Sequence, residues 1–177
     1  MTSRSTEAMT TWLSTLARVG VVESPEALAG KALMAYVVGD EKLDALRSWF
    51  AMCPPEVAVV EKKAAIEMCL WMAHADREIA PTELTILKEL VKRSGLDAAT
   101  MATLDGAIMT PPSIAGLERR LTHPVLRELM LALTWELACA DSRIDASERE
   151  VFERLARTFD ISRERALEIL ESVTAYV

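Results

Sequence analysis

Apolar positions recur along the chain every three or four residues, the spacing of a helical face, in stretches separated by Gly, Pro, Ser and Asp. Met9, Trp12, Leu13 and Leu16 mark a first helix from about Ser5 to Arg18, which Gly20 can terminate. Ser24-Pro25-Glu26 has the form of a helix start, an oxygen cap followed by proline and an early acid. The helix it opens carries Leu28, Ala32, Leu33 and Tyr36 and stops near Gly39. Asp40 then caps a third helix with Leu43, Leu46, Trp49 and Phe50 inward. Cys53-Pro54-Pro55 ends it, because proline disfavours helix in the residue before it.

Pro55 also suits the first turn of a fourth helix, running to about Ala75. Its residues Val59, Ile66, Met68, Cys69, Leu70, Trp71, Met72 and Ala73 are apolar nearly all round late in the segment, which predicts a buried central helix. Thr82 to Ser94 reads as its amphipathic partner, with Ile86, Leu87, Leu90 and Val91 inward and Gly95 as the stop. Asp97 caps a shorter helix to about Ile108, and Thr110-Pro111-Pro112-Ser113 is a connector leading to a brief helix before Arg120. Pro124 opens a second central helix through Leu126, Leu129, Met130, Leu133, Trp135 and Leu137. Residues 145–159 and 162–176 close the chain as a second amphipathic pair.

The second half of this pattern repeats the first. Ala75-Asp76-Arg77-Glu78-Ile79-Ala80-Pro81-Thr82-Glu83 and Ala140-Asp141-Ser142-Arg143-Ile144-Asp145-Ala146-Ser147-Glu148 share the form A-D-x-x-I-x-[AP]-[ST]-E, 65 positions apart. The same offset aligns Ala73 with Ala138, Leu87 with Phe152, Leu90 with Leu155, Leu96 with Ile161 and Leu104 with Ile169. Each phrase joins a central helix to an amphipathic one, so the chain predicts an all-α fold with two pseudo-symmetric three-helix units over residues 54–177. Residues 1–53 have no counterpart in the repeat. They form an N-terminal helical extension, a small second lobe or a partner-binding arm.

Composition narrows the function classes. The chain has 177 residues, 51% of them hydrophobic, enough for one substantial core. A net charge of -7 argues against sequence-independent nucleic-acid binding, which needs clustered Lys and Arg, and against electrostatic docking on anionic lipid. No apolar run reaches the roughly 20 residues that span a bilayer, and the polar stretch from Met1 to Thr11 lacks the apolar region of a signal peptide. Cys53, Cys69 and Cys139 are scattered without a C-x-x-C pair, so they read as buried free thiols, and the chain reads as cytoplasmic. The nine methionines read as packing within the apolar faces.

Asp76 and Asp141 stand at the C-terminal ends of the two central helices, where exposed carbonyls make a carboxylate unfavourable by roughly 0.3–1 kcal/mol. A bound hard cation such as calcium, magnesium or manganese would compensate. The alternative is a side chain closing its own turn on backbone amides. Glu83 and Glu148 sit about three residues into the following helices, where both ligation and capping suit them. Asp145-Ala146-Ser147-Glu148 has the form of a capping box, whereas Ala80 in the first copy weakens that reading there. Neither copy has the ligand spacing of an EF-hand.

These residues carry a resemblance. The repeated A-D-x-x-I-x-x-x-E, after a buried helix and before an amphipathic one, resembles the tellurite-resistance TerB-like family over roughly residues 56–177. The resemblance implies an all-helical domain with acids from two related corners in a metal-binding site: Asp76 and Glu83 in one half, Asp141, Asp145 and Glu148 in the other. It further implies a role in stress or phage-defence complexes, some membrane-associated, so protein partners and peripheral membrane association are the expectations.

Catalytic signatures are absent from the sequence: no H-E-x-x-H, no phosphate-cradling glycine loop, no G-x-S-x-G elbow and no E-x-x-H of di-iron bundles. His74 reads as a packing or capping histidine, and His123-Pro124-Val125 as a helix start. Two function classes therefore stand: a non-catalytic metal-binding interaction module, and a helical adaptor in which the acids are only helix caps.

Overall fold

A computed structural model of the chain describes residues 3–23, 32–75, 78–140 and 144–177. The Ser24-Pro25-Glu26 helix start and Leu28 fall outside the described residues, as do Asp76, Arg77, Asp141 and Ser142. All regular structure among the described residues is helical. The helices are α1 (Arg4–Arg18), α2 (Ala32–Val38), α3 (Asp40–Met52), α4 (Pro55–His74), α5 (Pro81–Lys92), α6 (Ala98–Ala107), α7 (Leu117–Arg120), α8 (Pro124–Ala140), α9 (Ala146–Thr158) and α10 (Arg163–Tyr176). Among them, none is long and apolar enough to cross a membrane.

Local chemistry accounts for most boundaries. Ser3, Asp97, Asp145 and Ser162 each accept a hydrogen bond from a backbone N–H in the first turn that follows, which satisfies a donor the helix cannot. Proline occupies the first position of α4 and α5, where its missing N–H costs nothing. Asp40 is not the cap that the pattern suggested. It is the first residue of α3, and Gly39 precedes it at φ 100°, a conformation that glycine reaches without strain.

The α8 helix is the hub. It packs against α1, α2, α3, α4, α9 and α10, and its residues from Leu129 to Leu133 are buried without interruption. A helix touched on every side has no solvated stripe, which is why its sequence shows no polar face. The α4 helix packs on α5, α6, α7 and α8, and its burial runs from Glu61 onward, the turns before it staying more exposed.

The N-terminal helices are built into this core. The α1 helix lies against both α5 and α8, and Met9, Trp12 and Leu16 are each 0% exposed. One hydrophobic cluster runs from these residues through Leu43 and Leu46 of α3 into α4, α5, α8, α9 and α10. Polar ties reinforce the junction. The Glu23 backbone N–H donates to the Arg93 carbonyl at 2.6 Å, just past α5. Gly95 follows at φ 65°, and a Cβ there would meet the Glu23 carboxylate at 2.6 Å, so the chain needs glycine for both conformation and space.

Two arginines fasten the second half. Arg127 donates to the carbonyls of Leu121 (2.6 Å), Glu118 (2.6 Å) and Phe159 (3.0 Å), tying α8 to the end of α7 and to the end of α9. Arg165 donates to Glu128 at 2.8 Å and to the Val37 carbonyl at 3.1 Å, tying α10 to α8 and α2.

Candidate metal centre at two helix corners

The first corner leaves α4 at His74 and enters α5 at Pro81. His74 is half-buried, and its Nε2–H donates to the Ile108 carbonyl at 2.7 Å, across to the end of α6. This is the packing role expected of it, and it orients the ring by that nitrogen. Across the corner, Glu83 is only 3% exposed, and one of its oxygens accepts the Ala80 N–H at 3.1 Å. Alanine supplies no oxygen in return, so this is half of a capping box. The sequence made the cap reading weaker at this corner; the structure gives Glu83 the same backbone bond as its counterpart.

The second corner leaves α8 at Ala140 and enters α9 at Ala146, with the complete box. Asp145 Oδ1 accepts the Glu148 N–H at 2.9 Å, and Glu148 Oε2 accepts the Asp145 N–H at 2.9 Å. The Ser147 hydroxyl adds a third bond to Asp145 Oδ1 at 2.5 Å. Hydrogen bonds from Ser147 and then from the Glu148 amide hold the Asp145 carboxyl below its usual range.

Two cavities flank these corners. The larger, of about 580 Å³, lies between the ends of α4 and α8. Ala75, next to Asp76, lines it from the first corner, and Ser147 and Glu148 line it from the second. Its apolar wall includes Trp71, Trp135 and the Pro111-Pro112 connector, with Arg154 at an exposed position. A smaller cavity of about 280 Å³ is bounded by Ala140, next to Asp141, together with Glu7 of α1, Glu136 and Cys139. The end of α8 separates the two. Cys139 reports on both sides: burial pushes its thiol pKa up, the Thr174 hydrogen bond opposes this, and the charges of Glu148 and Glu136 raise it further.

Among the described residues, no three His, Cys, Asp or Glu side chains form a group able to hold a metal ion. Glu83, Asp145 and Glu148 therefore do not make a centre by themselves. A match to the family model described as tellurite resistance protein TerB covers residues 62–169. The chain belongs to the TerB family. No curated protein and no solved structure matches it significantly. The TerB match includes both corner phrases, α4 from residue 62 onward and the whole of α8.

The thiols divide in a way the sequence did not resolve. Cys69 is buried, and burial pushes its pKa up to about 12, which leaves it inert. Cys53 and Cys139, also expected to be buried, are only partly so, because each stands at the last turn or just past the end of its helix. Sequence reasoning also missed the cavity wall. Trp71 and Trp135 had the periodicity of core residues, and Pro111-Pro112 read only as a break. The available signal was a bulky aromatic within two turns of each acidic phrase, together with a stiff proline pair.

Proposed function

We propose that this TerB-family protein is a non-catalytic interaction module whose two acidic corners hold a divalent cation, with calcium, magnesium and manganese as the candidates. One observation carries the reading: Ala75, adjacent to Asp76, and Glu148 border the same cavity of about 580 Å³. Carboxylates and hard cations suit one another, and Glu83, Asp145 and Glu148 belong to the same two corner phrases as Asp76 and Asp141. Such an ion supplies the positive charge that the carboxyl ends of α4 and α8 lack. Protein partners reading the ion-loaded corner would give the module its stress-related role.

The adaptor reading has its own support. Glu83 and Glu148 both accept backbone amides, so their presence in the repeat is explained without a ligand. Thermal melting separates the two. An ion at about a hundred times its dissociation constant stabilises the fold by roughly 2.7 kcal/mol, an upward shift on the order of 5–10 °C for a domain of this size. Asp76→Asn and Asp141→Asn should each diminish that shift while leaving the ion-free midpoint equal or higher. No response to any of the three ions, together with a lowered midpoint for Asp145→Ala, would leave the acids as caps alone.

A further inference from the structure

One face of the first half of α4 stays exposed, while Ala58 and Glu61 on its other side are turned to the core and to Thr122. Val57, Val59 and Val60 are 38%, 37% and 45% exposed, and Met52, just before the proline break, is 80% exposed. Valine has a lower helix propensity than the residues usual on a solvated helical face, so three of them here are not explained by helix formation. At 100° per residue, Glu56, Val59, Val60 and Lys63 fall within roughly 100° of arc, opposite the buried Glu61, Ala64, Ala65 and Met68. The stripe thus has an apolar centre, an acid at one end and a base at the other. Lys63 has only a long ion pair with Glu67 at 3.8 Å, and Glu67 already has Arg120 as a closer partner. Glu56 is exposed and has no ion-pair partner among the described residues.

We propose that this stripe is a self-complementary contact with a second copy of the chain, the two α4 helices packed antiparallel about a two-fold axis between Val59 and Val60. In that arrangement residue 56 of one copy stands opposite residue 63 of the other. Glu56 therefore meets Lys63 twice, once on each side of the valines. A two-fold contact requires such self-complementarity, and the spacing of acid and base about the apolar centre provides it. Met52, Pro54, Pro55 and Val57 are exposed, next to the stripe in sequence. The patch is short, so the dimer belongs to the small, weak class of interfaces and forms with rising concentration.

Sedimentation velocity of the full chain from micromolar to near-millimolar concentration should show a reversible monomer–dimer equilibrium. Val60→Glu places like charges at the axis and should leave a monomer with unchanged helicity and melting, since the side chain is already exposed. Glu56→Lys and Lys63→Glu should each weaken self-association by about tenfold or more. An equimolar mixture of these two variants should associate again as a heterodimer, because each charge then finds its opposite. A wild type that stays monomeric throughout overturns the proposal. So does a dimer indifferent to Val60→Glu, or a mixture of charge variants that fails to associate. A monomer that binds neutral phospholipid vesicles through Val60 would overturn it in favour of a lipid surface.

Discussion

At the scale of single residues, the glutamates of the two corner phrases act as caps. Glu83 and Glu148 were legible as either caps or ligands, and both close their helices by accepting a backbone amide. Asp145 was legible as a cap from its spacing, because the capping box depends only on neighbours in sequence. The role of His123 was not legible, because it depends on packing between distant segments. Its ring lies against Trp49 of α3 at 4.7 Å, and burial lowers its pKa below 6.5, with the Glu61 carboxylate pulling the other way. A folded pKa below the unfolded one means that the unfolded chain takes up the proton first. The stabilisation from neutral His123 is thus fully present above about pH 6.5 and is lost as the pH falls through the lowered folded value. Melting midpoints taken from about pH 8 to about pH 5 should fall in the wild type and fall less in His123→Phe. Equal slopes would place that pH dependence in other groups. The Asp145 contribution lies lower, present above the usual 3.8 and lost as the pH falls through its depressed folded value.

At the scale of elements, helix type and boundaries were largely readable because caps, prolines and apolar periodicity are local signals. The long-range ties were not, since nothing beside Arg127 in sequence shows that its guanidinium reaches the carbonyls of Leu121, Glu118 and Phe159. Arg127→Ala leaves those carbonyls, near the ends of α7 and α9, without their charged donor. Chemical denaturation should record a loss of about 2–3 kcal/mol, within the range for hydrogen bonds to charged groups. Arg127→Lys should recover only part of it, because an ammonium cannot span three acceptors held by a planar fork. A loss below about 0.5 kcal/mol would mean that water replaces the guanidinium at no cost. Elsewhere the apolar pattern in α4 misled in one respect. Val57, Val59 and Val60 are apolar, yet they are exposed, because the neighbouring helices cover mainly the second half of that helix.

At the scale of the molecule, the helices from α4 onward follow the order that the sequence pattern predicted, but the pattern did not show what fills the space between α5 and α8. That space belongs to α1, whose contribution sequence symmetry could not indicate because it has no counterpart in the repeat. Trp12→Ala should therefore destabilise the whole fold by about 3–5 kcal/mol, the cost of emptying a large core site, as measured by reversible unfolding. A loss confined to α1, with the remaining helices melting as before, would instead mark residues 1–53 as a detachable unit. The central claim is the proposed one, that acids of the two corners hold an ion beside the larger cavity. Of the four tryptophans, Trp71 and Trp135 line that cavity, whereas Trp12 and Trp49 do not. Titration of isotope-labelled protein with manganese, followed through the four indole N–H resonances, tests the claim most directly. The account predicts that Trp71 and Trp135 broaden first, at substoichiometric metal, and that Asp76→Asn diminishes the effect. Uniform broadening of all four, or selective loss of Trp12 or Trp49, would contradict it.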